Sequence, residues 1–138
     1  MGGSYSPPPM QDRPTASELL DAVRGFLERD VVPALDGTAK FHARVAANVV
    51  AIVARELALD EPHLLAEWQR LDALLDAAPL PSGSDERRAA LRARTETLCE
   101  RIRAGDADAG PFRDAVLAHL RATVREKLAV ANPKLLPA

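Results

Sequence analysis

Cysteine is nearly absent: Cys99 is the only one in 138 residues, so no internal disulfide can hold the chain and the fold must rest on its core. Aromatic residues are scarce too, at 4% with a single Trp. A core built here is aliphatic and rich in Ala and Leu, which favours helices. An excess of one charge is also missing. The balance of 18 Lys and Arg against 20 Asp and Glu leaves a net charge of −2. A domain that tracks a phosphate backbone carries a clear basic surplus, so nucleic acid is set aside as a partner. No run approaches the ~18 unbroken apolar residues of a membrane span, because Arg44, Asn48 and Arg55 interrupt the best candidate. Nothing near the amino end pairs a basic segment with an apolar run as a secretory signal does. These absences lead to the expectation of a cytoplasmic protein that does not insert in a membrane.

What is present is helical punctuation. Residues 1–11 are rich in Gly, Ser and Pro and read as a disordered leader; Met1, Gly2 and Ser6 formally fit an N-myristoylation spacing, but any Gly/Ser-rich start would do the same. Residues 12–138 are expected to form one helical domain, long enough to bury roughly 70% of its unfolded surface. Thr15 and Glu18 make a capping box that opens a first helix, with Leu19, Leu20, Val23, Phe26, Leu27 and Val31 on one stripe and Pro33 at its end. Asp36 and Gly37 predict a turn, and Thr38 predicts the cap of a second helix over 39–59. Asp60 and Pro62 are expected to open a third, with Leu64, Leu65, Trp68, Leu71, Leu74 and Leu75 inward. Pro79 to Gly83 is a loop, and Ser84 is expected to cap a fourth helix whose apolar face is thin: Leu91, Leu98 and Ile102. After the loop from Gly105 to Gly110, Pro111 opens a fifth with Phe112, Val116, Leu120, Val124 and Leu128 inward. Pro133 ends it, leaving Leu135 and Leu136 on an extended tail. No segment alternates with period two, so the fold class is all-α, a single-domain bundle of about five helices.

The most informative stretch is FHARVAANVVAIVAREL, 41–57. At about 100° per residue, Phe41, Val45, Val49, Ile52 and Val53 share one arc, while Ala43, Ala47, Ala51, Ala54 and Ala58 gather on another. The first arc is expected to fill the core and the second to let a neighbouring helix come close. His42 and Glu56 fall within the first arc near opposite ends of the helix, where an unpaired polar group would cost a few kcal/mol if buried. They are therefore pocket candidates or end-of-helix residues with partners elsewhere. At ~1.5 Å of rise per residue they lie some 20 Å apart and cannot form one catalytic pair. Arg44, Asn48 and Arg55 share the remaining narrow stripe. It is either a solvated face or a contact stripe for a protein or an anion, since a guanidinium offers a planar fork to carboxylate or phosphate.

Catalytic patterns are missing. His42, His63 and His119 stand on different expected helices, with neither a His at i+4 nor the Glu-x-x-His of di-iron bundles, so no metal and no cofactor is expected. Cys99 has no base that the sequence places beside it. PSGSDERR at 81–88 lacks the spacing and the lysine of a P-loop, and Asp85 and Glu86 would repel an anion there. The arginines at 87, 88, 92, 94, 101 and 103 read as a solvated face with i, i+4 pairs.

DRPTASELLDAVRGFLERDVVPALDG, continuing through TAKFHARVAANVVAIVAREL and closing on REKLAVANPKLL, resembles an uncharacterised bacterial helical domain family of unknown function, over about 12–136. Members of that family tend to be found beside aminoglycoside-phosphotransferase-like kinases and acyl-CoA dehydrogenases. The resemblance implies an accessory role in acyl-CoA or hydroxyacyl metabolism and brings no catalytic residue with it. Asp12, Arg13, Pro14, His42, Arg44, Asn48, Asn132 and Pro133 match its recurring motif without a known role.

The leading reading is a non-catalytic accessory protein that binds a partner, such as the kinase-like or acyl-CoA-metabolising enzyme, through Arg44, Asn48 and Arg55 with the first helix and the tail. A partner or a second copy, making a homodimer, could also cover the apolar tail. The alternative is a binder of an acyl or CoA-like ligand, or an enzyme acting on one, with His42 as acid/base and Arg44 as anion anchor.

Overall fold

A computed structural model describes residues 13–138. The leader at 1–11, with Met1, Gly2 and Ser6, and Asp12 lie outside the described residues. Among those described there are four α-helices and no strand: α1 (Ala16–Phe26), α2 (Gly37–Leu74), α3 (Ser84–Arg103) and α4 (Gly110–Ala131). The chain divides into two compact units, Met1–Ala58 and Leu59–Ala138, here called unit 1 and unit 2.

Unit 1 begins with the expected capping box. The Glu18 amide donates to Thr15 Oγ1, and the Thr15 amide donates back to the Glu18 carboxylate. Pro33 does not stop α1 directly. The helix loosens into a π-helical turn over Leu27–Val31 and then tightens into a 3-10 turn at Val32–Ala34. Gly37, at φ 59°, then reverses the chain into α2; a side chain there would be strained.

The number of helices corrects the sequence reading. The expected second and third helices are one, because α2 runs through Pro62 without interruption. Pro62 supplies no amide hydrogen and crowds the carbonyl of Ala58. The flanking ARELALDE and HLLAEWQRL are nearly all strong helix formers, and they carry the helix across that gap. Asp60, read as a cap, instead pairs its carboxylate with Arg88. The units divide at Ala58, where the helix lacks its amide donor.

Unit 2 holds the one cluster of large buried side chains among the described residues. Leu71 and Leu74 of α2, Leu98 of α3 and Val116 of α4 form it, flanked by Leu75, Leu91, Ile102, Ala107 and Phe112. Trp68 is buried beside them and donates from Nε1 to the Ala78 carbonyl at 3.0 Å. Ser84 does not cap α3; Gly83 takes that position, with no side-chain bond. Gly110 and Pro111 open α4. The tail is not extended throughout, since Pro133–Leu135 closes a 3-10 turn.

Two further expectations change. In α4, Leu120 and Val124 are exposed and His119 is buried. A strict i, i+4 series such as 112, 116, 120, 124 drifts about 40° per step around a helix of 3.6 residues per turn, so the buried face follows Val116, His119 and Thr123 instead. In α2 most of the arc assigned to the core is outside: Phe41 is 62% exposed, and Val45, Val49 and Val53 are exposed with it, Ile52 is half-buried, and Ala43, Ala47 and Ala51 are buried.

Candidate functional site

Two places concentrate unusual chemistry, one in each unit. In unit 2, Arg70 of α2 projects its guanidinium at α4. Nη1 and Nη2 donate to the two Glu126 carboxylate oxygens at 2.7 and 2.8 Å, Nη2 also to Thr123 Oγ1 at 3.3 Å, and Nε to His119 Nδ1 at 3.2 Å. His119, Thr123 and Glu126 recur at i, i+4 and i+7, one face of α4. Burial and the adjacent Arg70 charge hold the His119 imidazole below its usual range, while Glu126 acts in the opposite sense. Glu67, one turn before Arg70, is pushed above the ordinary carboxyl range chiefly by burial, with Arg70 opposing and Glu126 adding to the shift.

That arrangement is a clamp. His119 is only 4% exposed, and its Nδ1 lone pair already accepts from Arg70, so it is the neutral Nε2–H tautomer and cannot take a proton from a substrate at Nδ1. Both oxygens of Glu126 are engaged by Arg70.

Three arginines of α3 do comparable work seven residues apart: Arg87, Arg94 and Arg101 are half-buried and depart from the expected solvated face, whereas Arg88, Arg92 and Arg103 are exposed as expected. Arg87 donates from Nε to the Pro81 carbonyl at 2.6 Å. Arg94 stacks 4.5 Å over Trp68 and donates to the Asp76 carbonyl at 2.9 Å. Its Nη1 sits 2.8 Å from Asp72 Oδ1 but is not aligned for a hydrogen bond, so the contact is an ion pair only. Arg101 stacks 4.2 Å over Phe112, donates to the Leu74 carbonyl at 3.0 Å and pairs with Asp106. Arg101 thereby satisfies a terminal carbonyl of α2, a group that a helix end leaves without an internal partner.

Three clefts of unit 2 mix apolar lining with charged side chains. One of about 510 Å³ is lined by His63, Arg125, Glu126 and the carboxyl-terminal residues 136–138. Two of about 240 Å³ lie nearby, one along Asp60, Glu61, Arg87 and Arg88 and the other along His63, Glu67, Leu91 and Arg92. Arg88 pairs with Asp60, and Arg87 lies 3.8 Å from Glu61. Among the described residues no three His, Cys, Asp or Glu side chains are placed to hold a metal ion, and no helix is long and apolar enough to cross a membrane.

In unit 1 the notable feature is an exposed apolar face. Phe41, Val45, Val49, Val53 and Leu57 stand outside along α2, and Leu19, Val23 and Phe26 do so on α1. His42 and Glu56, the pocket candidates, are exposed within the α2 arc and line none of the three clefts. The His42 ring meets Phe41 edge-on at 5.7 Å. Arg44 and Asn48 are exposed and Arg55 is half-buried, on the stripe beside Phe41.

The model of a family described as a domain of unknown function, DUF6285, matches residues 33–135. The chain belongs to the DUF6285 family. The match reaches across both units, so the DUF6285 domain takes in the apolar face of α2, the Arg70 clamp and the 3-10 turn of the tail, while α1 precedes it. A search of the curated proteins found no match, and neither did a search of the solved structures.

Proposed function

We propose that this chain is a non-catalytic interaction protein whose unit 1 binds another polypeptide on the α2 face formed by Phe41, Val45, Val49, Val53 and Leu57. The observation that carries this is the inversion of burial in α2, with the alanines inside and the large side chains out. Soluble monomers rarely expose an apolar patch beyond a few hundred Å² without a use for it. Arg44, Asn48 and Arg55 sit beside the arc and supply the polar rim that surrounds such a patch. The catalytic reading loses support because His119, the histidine whose titration the fold shifts, is buried and already engaged by Arg70.

The test is capture of a tagged chain from its source cells at moderate salt, beside a Val45→Asp/Val53→Asp variant checked for retained helicity. One stoichiometric companion, lost with the variant, is expected; the enzyme classes to look for are the kinase-like and acyl-CoA-metabolising ones implied by the family resemblance, together with untagged chain. A companion indifferent to the variant, or none, would refute the reading. An Arg44→Ala/Arg55→Ala variant separates the rim from the arc and should weaken capture less than the carboxylates do.

A further inference from the structure

We infer that the α2 face of unit 1 binds a second copy of this chain, as an antiparallel helix pair whose two-fold axis passes beside Val49. This rests on the reading of that face as a polypeptide-binding surface and names its occupant.

The arc is symmetric about Val49 in a way that one helix alone does not require. His42, Val49 and Glu56 are spaced by seven residues, the repeat that keeps a seam facing a partner at a shallow crossing near 20°. A two-fold at Val49 brings residues equally distant from it in sequence to the same height on opposite helices. Val49 then meets its own copy. Ile52 meets Ala46 of the second copy and Val53 meets Val45, and Phe41 and Leu57 close the two edges. His42 of each copy faces Glu56 of the other, so the two polar residues inside the apolar arc, solvent-exposed in the single chain, become an imidazole–carboxylate pair, formed twice. A register that misses this leaves each of them without a charge partner across the seam, against apolar side chains. Charge complementarity therefore selects both the partner and its direction.

The area agrees. A standard interface removes ~800 Å² from each partner, rather more than half of it apolar. Phe41, Val45, Val49, Val53 and Leu57 are between 39% and 62% exposed, which for side chains of this size gives an apolar area on the order of 450 Å². The arc spans ~24 Å along the axis, more than four helical turns. The small residues that would let a helix approach closely, Ala43, Ala47 and Ala51, are already buried, leaving the large-residue arc as the free face of α2.

The experiment is sedimentation velocity on the full-length chain from micromolar to hundreds of micromolar, with three variants whose helicity is verified by circular dichroism. The wild-type chain is expected to be a dimer that dissociates on dilution. Val49→Asp sets two carboxylates against each other at the two-fold and should give a monomer. Glu56→Lys sets a cation opposite His42 and should weaken the dimer about tenfold; His42→Glu added to Glu56→Lys should restore it. That recovery is particular to this register, and it stands if Val49→Asp fails to fold. A dimer that Val49→Asp leaves intact, or a double variant no better than Glu56→Lys, would overturn the inference. So would a wild-type monomer at every concentration. In that case capture of a different protein that Val49→Asp abolishes would leave the interaction reading standing, and capture unaffected by Val49→Asp would remove both.

Discussion

The two units spend their apolar residues in opposite ways. Unit 2 packs Leu71, Leu74, Leu98 and Val116 inside and pins the surrounding helices with Arg70, Arg94 and Arg101. Unit 1 buries Gly25 in α1 and Ala43, Ala47 and Ala51 in α2, and turns Phe26, Phe41, Val49 and Leu57 outward. Close packing of small residues gives little hydrophobic area, since burial stabilises roughly in proportion to the apolar surface removed from water. Unit 2 therefore looks after its own stability, whereas unit 1 leaves its largest apolar side chains exposed, on the face proposed to bind a partner.

The contrast breaks most visibly if the unit 2 core is cut. Leu71 is fully buried, so Leu71→Ala should cost about 2–5 kcal/mol in transfer and cavity terms, read by urea denaturation with Trp68 fluorescence. Glu126→Ala should come next, at about 2–4 kcal/mol, because it strands the Arg70 guanidinium, whose side chain is 23% exposed.

The pH dependence is smaller and has a definite sign. His119 is held below its ordinary value of 6.5 in the fold, so the unfolded chain takes up the proton first as pH falls. Stability is complete above that value and declines through the window beneath it. His119→Asn keeps an acceptor for Arg70 and should flatten this decline in denaturation midpoints taken across the range. Glu67 runs the other way: its folded carboxyl is raised above 4.5, so it withdraws stability as pH climbs past that value, and Glu67→Gln should raise the midpoint at neutral pH. The smallest effect is expected in unit 1. Val49→Ser in dilute monomer should change stability by no more than about 0.5 kcal/mol, while under the proposed pairing the same substitution should weaken association.

Much of the fold was legible in the sequence. The Thr15–Glu18 capping box, the loop before α3 and the Gly110–Pro111 start of α4 are local signals, and local chemistry decides them. Pro62 was misread because an Asp-x-Pro start is written with the same letters as a proline tolerated inside a long helix; only the strength of the flanking helix formers separates them. The arc of Phe41, Val45, Val49, Ile52 and Val53 reads as core because periodicity identifies an apolar face without saying whether this chain covers it. The Arg70 clamp escaped because its members are 49 to 56 residues apart. A signal did exist in His119, Thr123 and Glu126 at helical spacing, on the face that the drifting Leu120 and Val124 could not occupy. For His42 and Glu56 the proposed role depends on a second copy, which the sequence of one chain does not display.

Hydrogen exchange on the full-length chain, followed by mass spectrometry at low and high protein concentration, tests the central claim most directly. The account predicts that amides of 41–57 gain protection as concentration rises while those of 116–128 in unit 2 do not change. Protection of 41–57 that is independent of concentration, or a gain confined to unit 2, would contradict it.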